Sequence, residues 1–252
     1  IPNSKFQKIT RFKIQIFKQK HKGVSGARNF GAKKAGGDIL AFTDSDCVPE
    51  KGWLKNIVAA LSNPKVGAVG GGYSCGIDNS FWQRFSCEEL KFRRRKMKRF
   101  VMTALSNNLA CRKDLFMEAG GFPVKFPVCE DMFLTYQISR KHKLLWLNNN
   151  GVRHHFKTNL MGFLKHQFFF GKESTKFFLY NPDILQAGNH QGKELHIAII
   201  TSVFALAFLI LYYFSLLQVF FVLFVFFLLF HFLVYLRFLF YLKKNGFNKL
   251  NL

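Results

Sequence analysis

Acidic residues are scarce: 14 Asp and Glu stand against 37 Lys and Arg, a formal net charge of +23 over 252 residues. That balance points to an anionic partner, whether nucleic acid, an anionic membrane surface or a phosphorylated substrate. No recognised RNA- or DNA-binding signature appears, which leaves nucleic acid out of the expected partners. Cysteine is sparse and scattered, at Cys47, Cys75, Cys87, Cys111 and Cys129, with no C-x-x-C pair and no histidine at zinc-finger spacing. This argues against a zinc site and reads as reduced, partly buried thiols in a cytosolic compartment. No secretory signal is visible, no internal repeat is found, and the chain opens Ile-Pro-Asn-Ser instead of Met.

What the sequence has in excess is apolar residues near its C-terminal end. From Ile197 to Leu242 it is nearly all Ile, Leu, Val, Phe, Ala and Tyr, interrupted by small polar residues, Gln218, His231 and Arg237. That is roughly twice the ~20 residues needed to cross a bilayer. The division expected is Ile197–Leu217 and Val219–Leu236 with a turn at Ser215–Gln218, although neither Gly nor Pro marks it. A helix apolar on every face needs burial on every face, and the rest of the chain is too small to cover one. Lysines flank both spans, so both ends are expected in the cytoplasm, in a multi-pass protein of the plasma membrane. The organisation expected is residues 1–190 as one domain and 195–243 as a membrane region of two helices.

In the remainder, strands alternate with helices. "RFKIQIFKQ" alternates at period two like a half-exposed strand; Ala27–Ala35 reads as a helix ended by Gly36-Gly37; "DILAFT" has the continuous apolar character of a parallel strand covered on both faces. "WLKNIVAAL" has helical spacing, "KVGAVGGGYSC" a strand opening into a Gly-rich turn, "NNLACR" a strand, "KDLFMEAGGF" a helix stopped by glycines. "EDMFLTYQISRKH" is a helix with acids in its first turn, and "KLLWL" a last strand. The class is α/β, with ligands expected at the C-terminal ends of strands.

Asp44 and Asp46 follow a buried strand at i, i+2, where an extended backbone would point both side chains the same way. Two hard oxygen donors there suit Mg²⁺ or Mn²⁺, and such an ion would bring a diphosphate with it. The alternative is an Asx-type turn leaving the strand.

The surroundings extend the pattern. "ARNFGAKKAGGDILAFTDSDCVPEKGWL", "NNLACRKDLFMEAGGF" and "CEDMFLTYQI", in that order, resemble the signature of glycosyltransferase family 2 from about Gly23 to Gly171. The resemblance implies a GT-A fold, a mixed sheet flanked by helices, here followed by C-terminal transmembrane helices. It implies inverting transfer of a sugar from a nucleotide-diphosphate donor to a lipid-linked or glycan acceptor, in cell-surface polysaccharide or glycan synthesis. Carried over by position, Arg28, Asn29, Asp44 and Asp46 lie on the donor side. Asp44 lies near the ribose, and Asp46, with Asp44, holds the divalent ion. Asp131 becomes the general base beside Glu130. His154 or His155 of "VRHHF" matches a position where a histidine approaches the metal or diphosphate. Asn108, Gly120, Gly121 and Phe122 fall beside the acceptor. Arg28 is read either as facing the diphosphate or as anchoring its turn; Glu130-Asp131, without the family context, is a helix N-terminal dipole pair.

Two departures stand out. The family's opening strand and Asp-rich nucleotide turn are not found before Arg11, so part of the catalytic domain is expected to precede this sequence. In "HQFFFGK", Gln167 is followed by Phe170 and Gly171 where processive members carry Arg and Trp, so limited sugar addition is expected. The basic run "KFRRRKMKR" offers Arg93, Arg94 and Arg95 to anionic headgroups or a lipid phosphate, the alternative being a solvated helix face. A noncatalytic, membrane-anchored remnant of the fold is the other functional reading.

Overall fold

The structure is a computed structural model and describes residues 14–76, 80–187, 193–245 and 247. Its first regular element is α1 (Gly23–Lys34); Ile14–Lys22 is exposed and irregular, so the strand expected from Arg11 does not form over its described part. Residues 11–13 lie outside the described residues. There follow β1 (Ile39–Phe42), β2 (Cys47–Pro49), α2 (Trp53–Leu61), β3 (Val66–Gly76), α3 (Phe81–Arg94) and β4 (Phe100–Val101). Then come a 3-10 turn (Ser106–Asn108), β5 (Leu109–Arg112), α4 (Lys113–Glu118), α5 (Glu130–Ser139) and β6 (Lys143–His154). Among the described residues four helices follow: α6 (Leu160–Tyr180), α7 (Pro182–Ala187), α8 (Lys193–Ser215) and α9 (Gln218–Lys244).

The sheet is mixed, in the order β1-β5-β3-β6-β2, with β4 on β6. β3 and β6 run parallel, while β5 is antiparallel to both β1 and β3. The apolar run of β1 had indicated a parallel strand; its described neighbour is antiparallel. The apolar residues of β1 meet packing on both faces, although Ala41 is exposed. Leu40 packs with Ala32, Leu115 and Phe116 on one side, and Ile39 joins the Trp53, Ile57 and Leu61 cluster on the other. Burying side chains of that size contributes about 1.5–3 kcal/mol each, an upper figure for an unfolded chain already partly collapsed.

The "GGG" of β3 does not open a turn, because the strand continues to Gly76. A Cβ on Gly70 would lie 2.6 Å from that of Ala104, and one on Gly71 would lie 2.3 Å from the Asn150 carbonyl oxygen. The glycines are there for close approach of neighbouring backbone. By contrast, Gly120 and Gly121 do end α4, at φ +81° and +71°. The Gly121 N–H donates to the Phe116 carbonyl at 3.0 Å, the reach of a Schellman stop. β6 runs seven residues beyond "KLLWL", as far as His154, and that extension builds the site.

α8 and α9 form an antiparallel apolar hairpin, with Tyr212 against Phe221, Phe208 against Phe220 and Phe227, and Phe204 against Phe227. Leu216, at φ 55°, lies between them. α9 is long and apolar enough to cross a membrane, while Ile200–Ser215 is a shorter apolar helix. α3 lies against α9 through Phe85 and Phe92 on Phe238, and the Tyr241 hydroxyl donates to Glu88 at 3.0 Å.

Candidate active site

The β2–β6 ladder sets one half of the site. Its register places Cys47 opposite His154, and the His155 N–H donates to the Asp46 carbonyl at 2.9 Å. His154 Nε2 thereby lies 3.5 Å from Asp46 Oδ2, and ligand atoms of Asp46, Cys47 and His154 lie within 4.8 Å of one another. Burial holds the imidazole below its ordinary pKa, against the pull of Asp46 and Asp44. At neutral pH the ring is uncharged and has a lone pair to give. Its Nδ1 is buried with no hydrogen-bond partner. The Cys47 thiol is pushed up to about 11 by burial and by Asp46, so it stays protonated and adds little to the binding of a hard ion. Carboxylate oxygen plus imidazole nitrogen fits a divalent ion, and the nitrogen favours Mn²⁺ over Mg²⁺.

Asp44 does not share that cluster. The Cys47 N–H donates to the Asp44 carbonyl at 3.0 Å, so the segment is a turn and not the extended backbone that would align both carboxylates. Asp44 Oδ1 instead accepts from Arg28 Nη2 at 2.6 Å, and Arg28 Nη1 donates to Glu130 Oε1 at 2.6 Å. One guanidinium joins the end of β1 to the start of α5. Of the two readings of Arg28, the anchor fits this geometry, since two carboxylates occupy the face a diphosphate would need.

Asp131 makes the other half. Its Oδ2 accepts from the Ser106 N–H at 2.8 Å and the Ser106 hydroxyl at 3.1 Å, and its Oδ1 from the Met132 N–H at 2.8 Å. Burial raises its pKa, with the Ser106 bonds and Arg28 pulling back; Glu130 is pushed up to about 7 by burial and by Asp131's charge. The two carboxyls titrate as a pair. Cys129, which enters α5, has φ 63°, an uncommon conformation for a residue with a side chain.

Consecutive residues of the 3-10 turn join the halves. Ser106 holds Asp131, while Asn107 Nδ2 donates to Cys47 Sγ at 3.8 Å, one residue from Asp46. Tyr73 adds a second link, bonding Asn107 and lying with its ring edge-on to His154 at 5.6 Å. Arg94 lies 5.0 Å over the Tyr73 ring with Nε and Nη1 buried and without partners. Cys47, Tyr73, Ser106 and Asn107 were not among the residues singled out from sequence. A bulky Tyr following three glycines in a strand is the one signal that could have flagged any of them.

Four assigned positions have other work. Asn29 spends its amide on the Phe122 backbone, donating to the carbonyl at 2.7 Å and accepting from the N–H at 2.9 Å, and so braces the turn. Asn108 is buried, accepting from Trp53 Nε1 at 2.8 Å and donating to the carbonyls of Gly72 and Asn150 at 3.0 and 2.6 Å. Phe122 is core, packed on Phe42 and Phe116, and Gly121 keeps the turn against Asn29. The polar atoms and faces of these residues are already covered by the fold. The arginine run also divides. Arg93 pairs with Glu89, Arg95 donates to the Phe92 carbonyl, and Arg94 turns inward.

The chain is similar to known glycosyltransferases. The family model described as glycosyl transferase family 2 matches residues 3–120. Glycosyltransferase AglE of Haloferax volcanii is 32% identical over 111 residues, 43% of this chain and 36% of that protein. The pre-mycofactocin glycosyltransferase of Mycobacterium tuberculosis is 25% identical over 179 residues, 68% of this chain and 38% of its own length. Among solved structures, the mannosyltransferase PcManGT of Pyrobaculum calidifontis, in complex with GDP-Man and Mn²⁺, overlays at a TM-score of 0.41 and 20% identity, over 55% of this chain and 38% of that one. An overlay that loose carries no argument for the site. The family model and the sequence matches, with the ordered motifs, make the chain similar to glycosyl transferase family 2 over its N-terminal part. It spans little more than a third of the length of these curated relatives.

Proposed function

We propose that this chain belongs to an inverting glycosyltransferase that moves a sugar from a nucleotide-diphosphate donor to a hydroxyl of a lipid-linked or glycan acceptor. The observation that carries the reading is the 3-10 turn: adjacent residues Ser106 and Asn107 hold Asp131 and the Asp46–Cys47 loop on either side of one point. A carboxylate aimed at a hydroxyl and a cation site aimed at a diphosphate need that proximity.

Asp131 takes the acceptor proton as the hydroxyl oxygen attacks the anomeric carbon and the sugar–phosphate bond breaks, which inverts that centre. Its raised pKa makes it a stronger base than an ordinary aspartate, a function worth about 10²–10⁴ in rate. Three accepted hydrogen bonds leave at least one of its lone pairs for the substrate. Asp46 and His154 would hold a divalent ion, which supplies positive charge against the departing diphosphate. Arg28 keeps Asp44 and Glu130 in register and so fixes the distance between donor loop and base. Phe170, 42% exposed, and Gly171 lie on α6 where processive members carry Arg and Trp, which supports limited addition. The apolar hairpin supports membrane anchoring, and the lysines flanking it support an orientation with the catalytic part in the cytoplasm.

The test is a panel of UDP- and GDP-sugars with Mn²⁺, a polyprenyl-phosphate-linked sugar as acceptor, and the Asp46→Ala and Asp131→Asn variants. We expect Asp131→Asn to lose about 10²–10⁴ in kcat with donor affinity kept. Turnover within a few-fold of wild type in that variant overturns the assignment.

A further inference from the structure

Where α3 meets α9 there is a shallow, open cavity of about 540 Å³ whose lining includes Phe92, Arg95, Lys96, Arg237, Tyr241 and Lys244. Among the described residues no acid lines it. Lys96, Arg237 and Lys244 around an aromatic floor are costly neighbours for one another unless an anion joins them.

The depth of this cavity follows from the length of α9. Its 27 residues span about 40 Å at ~1.5 Å each, against a hydrocarbon core of about 30 Å. About 20 residues counted from Gln218 use up that core near Arg237, so the last two turns of α9, Arg237 to Lys244, lie at the level of the headgroups. α3 is held at the same level by Phe85 and Phe92 on Phe238 and by the Tyr241–Glu88 hydrogen bond. The Arg95 guanidinium lies 3.5 Å over the Phe92 ring, which keeps its charge at the cavity wall. Arg95, Lys96, Arg237 and Lys244 are all exposed, as a site filled from the bilayer requires.

We infer that this cavity binds the phosphate of an anionic membrane glycerophospholipid, with its glycerol and upper acyl carbons against Phe92 and Phe240. Bulk counter-ions would satisfy charge alone. The aromatic floor at that depth selects an amphiphile instead, because it remains apolar surface that only a lipid can cover. The inference rests on α9 crossing the bilayer but not on the transferase reading, and no catalytic side chain takes part.

The test uses the whole chain in a neutral detergent, with bound lipid counted by native mass spectrometry against phosphatidylglycerol, phosphatidylcholine, a polyprenyl phosphate and inorganic phosphate. We expect phosphatidylglycerol to be retained over phosphatidylcholine and inorganic phosphate not to displace it. Retention should fall about five-fold for Arg237→Gln or Lys244→Gln and about thirty-fold for the double variant. A matched double variant off the cavity, Lys98→Gln with Lys243→Gln, should retain it like the wild type. Equal retention of the two phospholipids, equal loss in the off-cavity variant, or displacement by polyprenyl phosphate at equal concentration each overturns the inference. Release of the chain from membranes by alkaline carbonate would sink the reading of α9 separately.

Discussion

Replacing Arg28 with Met keeps the stem and removes the guanidinium. Both of its 2.6 Å bonds are lost, and Asp44 and Glu130 are left facing each other's side of the site. The Arg28 and Glu130 side chains are 15% and 11% exposed, so that pair counts as buried, whereas Asp44 at 33% is screened by solvent. Breaking a buried pair costs about 3–5 kcal/mol, and with the solvent-screened half discounted the expected loss is about 3 kcal/mol at pH 8. The cost depends on pH through Glu130. Its folded pKa of about 7 lies above the ordinary 4.5, so the folded state binds this proton more tightly. Its contribution is present at low pH and is lost as pH rises through about 7. Arg28 pulls that value down, so its removal extends the penalty upward, and at pH 5 a neutral Glu130 loses little. Thermal unfolding followed in detergent should show Tm falling by about 6–12 °C at pH 8 and by only about 2–4 °C at pH 5. Equal losses at the two pH values, or a loss under about 2 °C at pH 8, would refute the bridge as an electrostatic link.

The other expectations concern the site itself. Glu130→Gln removes the like charge beside Asp131, so the acidic limb of kcat/KM against pH should move to lower pH; a limb that stays or moves up contradicts the coupling. His154→Ala should weaken Mn²⁺ binding, followed by electron paramagnetic resonance of the free ion, by at least about ten-fold, whereas Cys47→Ser should change it by less than about three-fold. Equal losses in both variants would give the thiol the role assigned here to the imidazole.

The elements that were legible in the sequence are those governed by local chemistry. Gly120-Gly121 ended α4 because left-handed backbone is cheap for glycine, and Glu130-Asp131 opened α5 because acids favour a helix N-terminus. The family motifs gave Asp46, Asp131 and His154 as members of one site, and the β2–β6 register brings the first and third of these together. What stayed hidden depends on contacts that the local sequence does not carry, from 16 to 102 residues apart. The spacing of D-x-D says nothing of Arg28, which lies 16 residues from Asp44 and 102 from Glu130 and takes Asp44 away from the metal-capable cluster. In the same way Asn29 and Asn108 look like ligand contacts because they are polar in a motif, but their polar atoms are consumed 93 and 55 residues away, at Phe122 and Trp53. The glycines of β3 read as a turn because the signal for a turn and the signal for close packing are the same residue.

α3 connects the metal-capable cluster with the basic cavity proposed to hold a lipid phosphate. Arg94, its last residue, turns inward over Tyr73, whose ring lies against His154, while Phe85 and Phe92 on the same helix carry it on Phe238 of α9. The C-terminal end of a helix is a poor place for an anion, since its unpaired carbonyls carry about half a negative charge. Lys96 just beyond it, with Arg237 and Lys244 from α9, brings three positive charges to the same place and outweighs it. A lipid phosphate held there ties the end of α3 to the headgroup layer, next to the residue that touches Tyr73. The distance from bilayer surface to Asp131 is then set by one helix and not by a flexible linker. An acceptor hydroxyl carried on a membrane lipid needs that constraint, because its own height above the bilayer is fixed by the lipid that bears it.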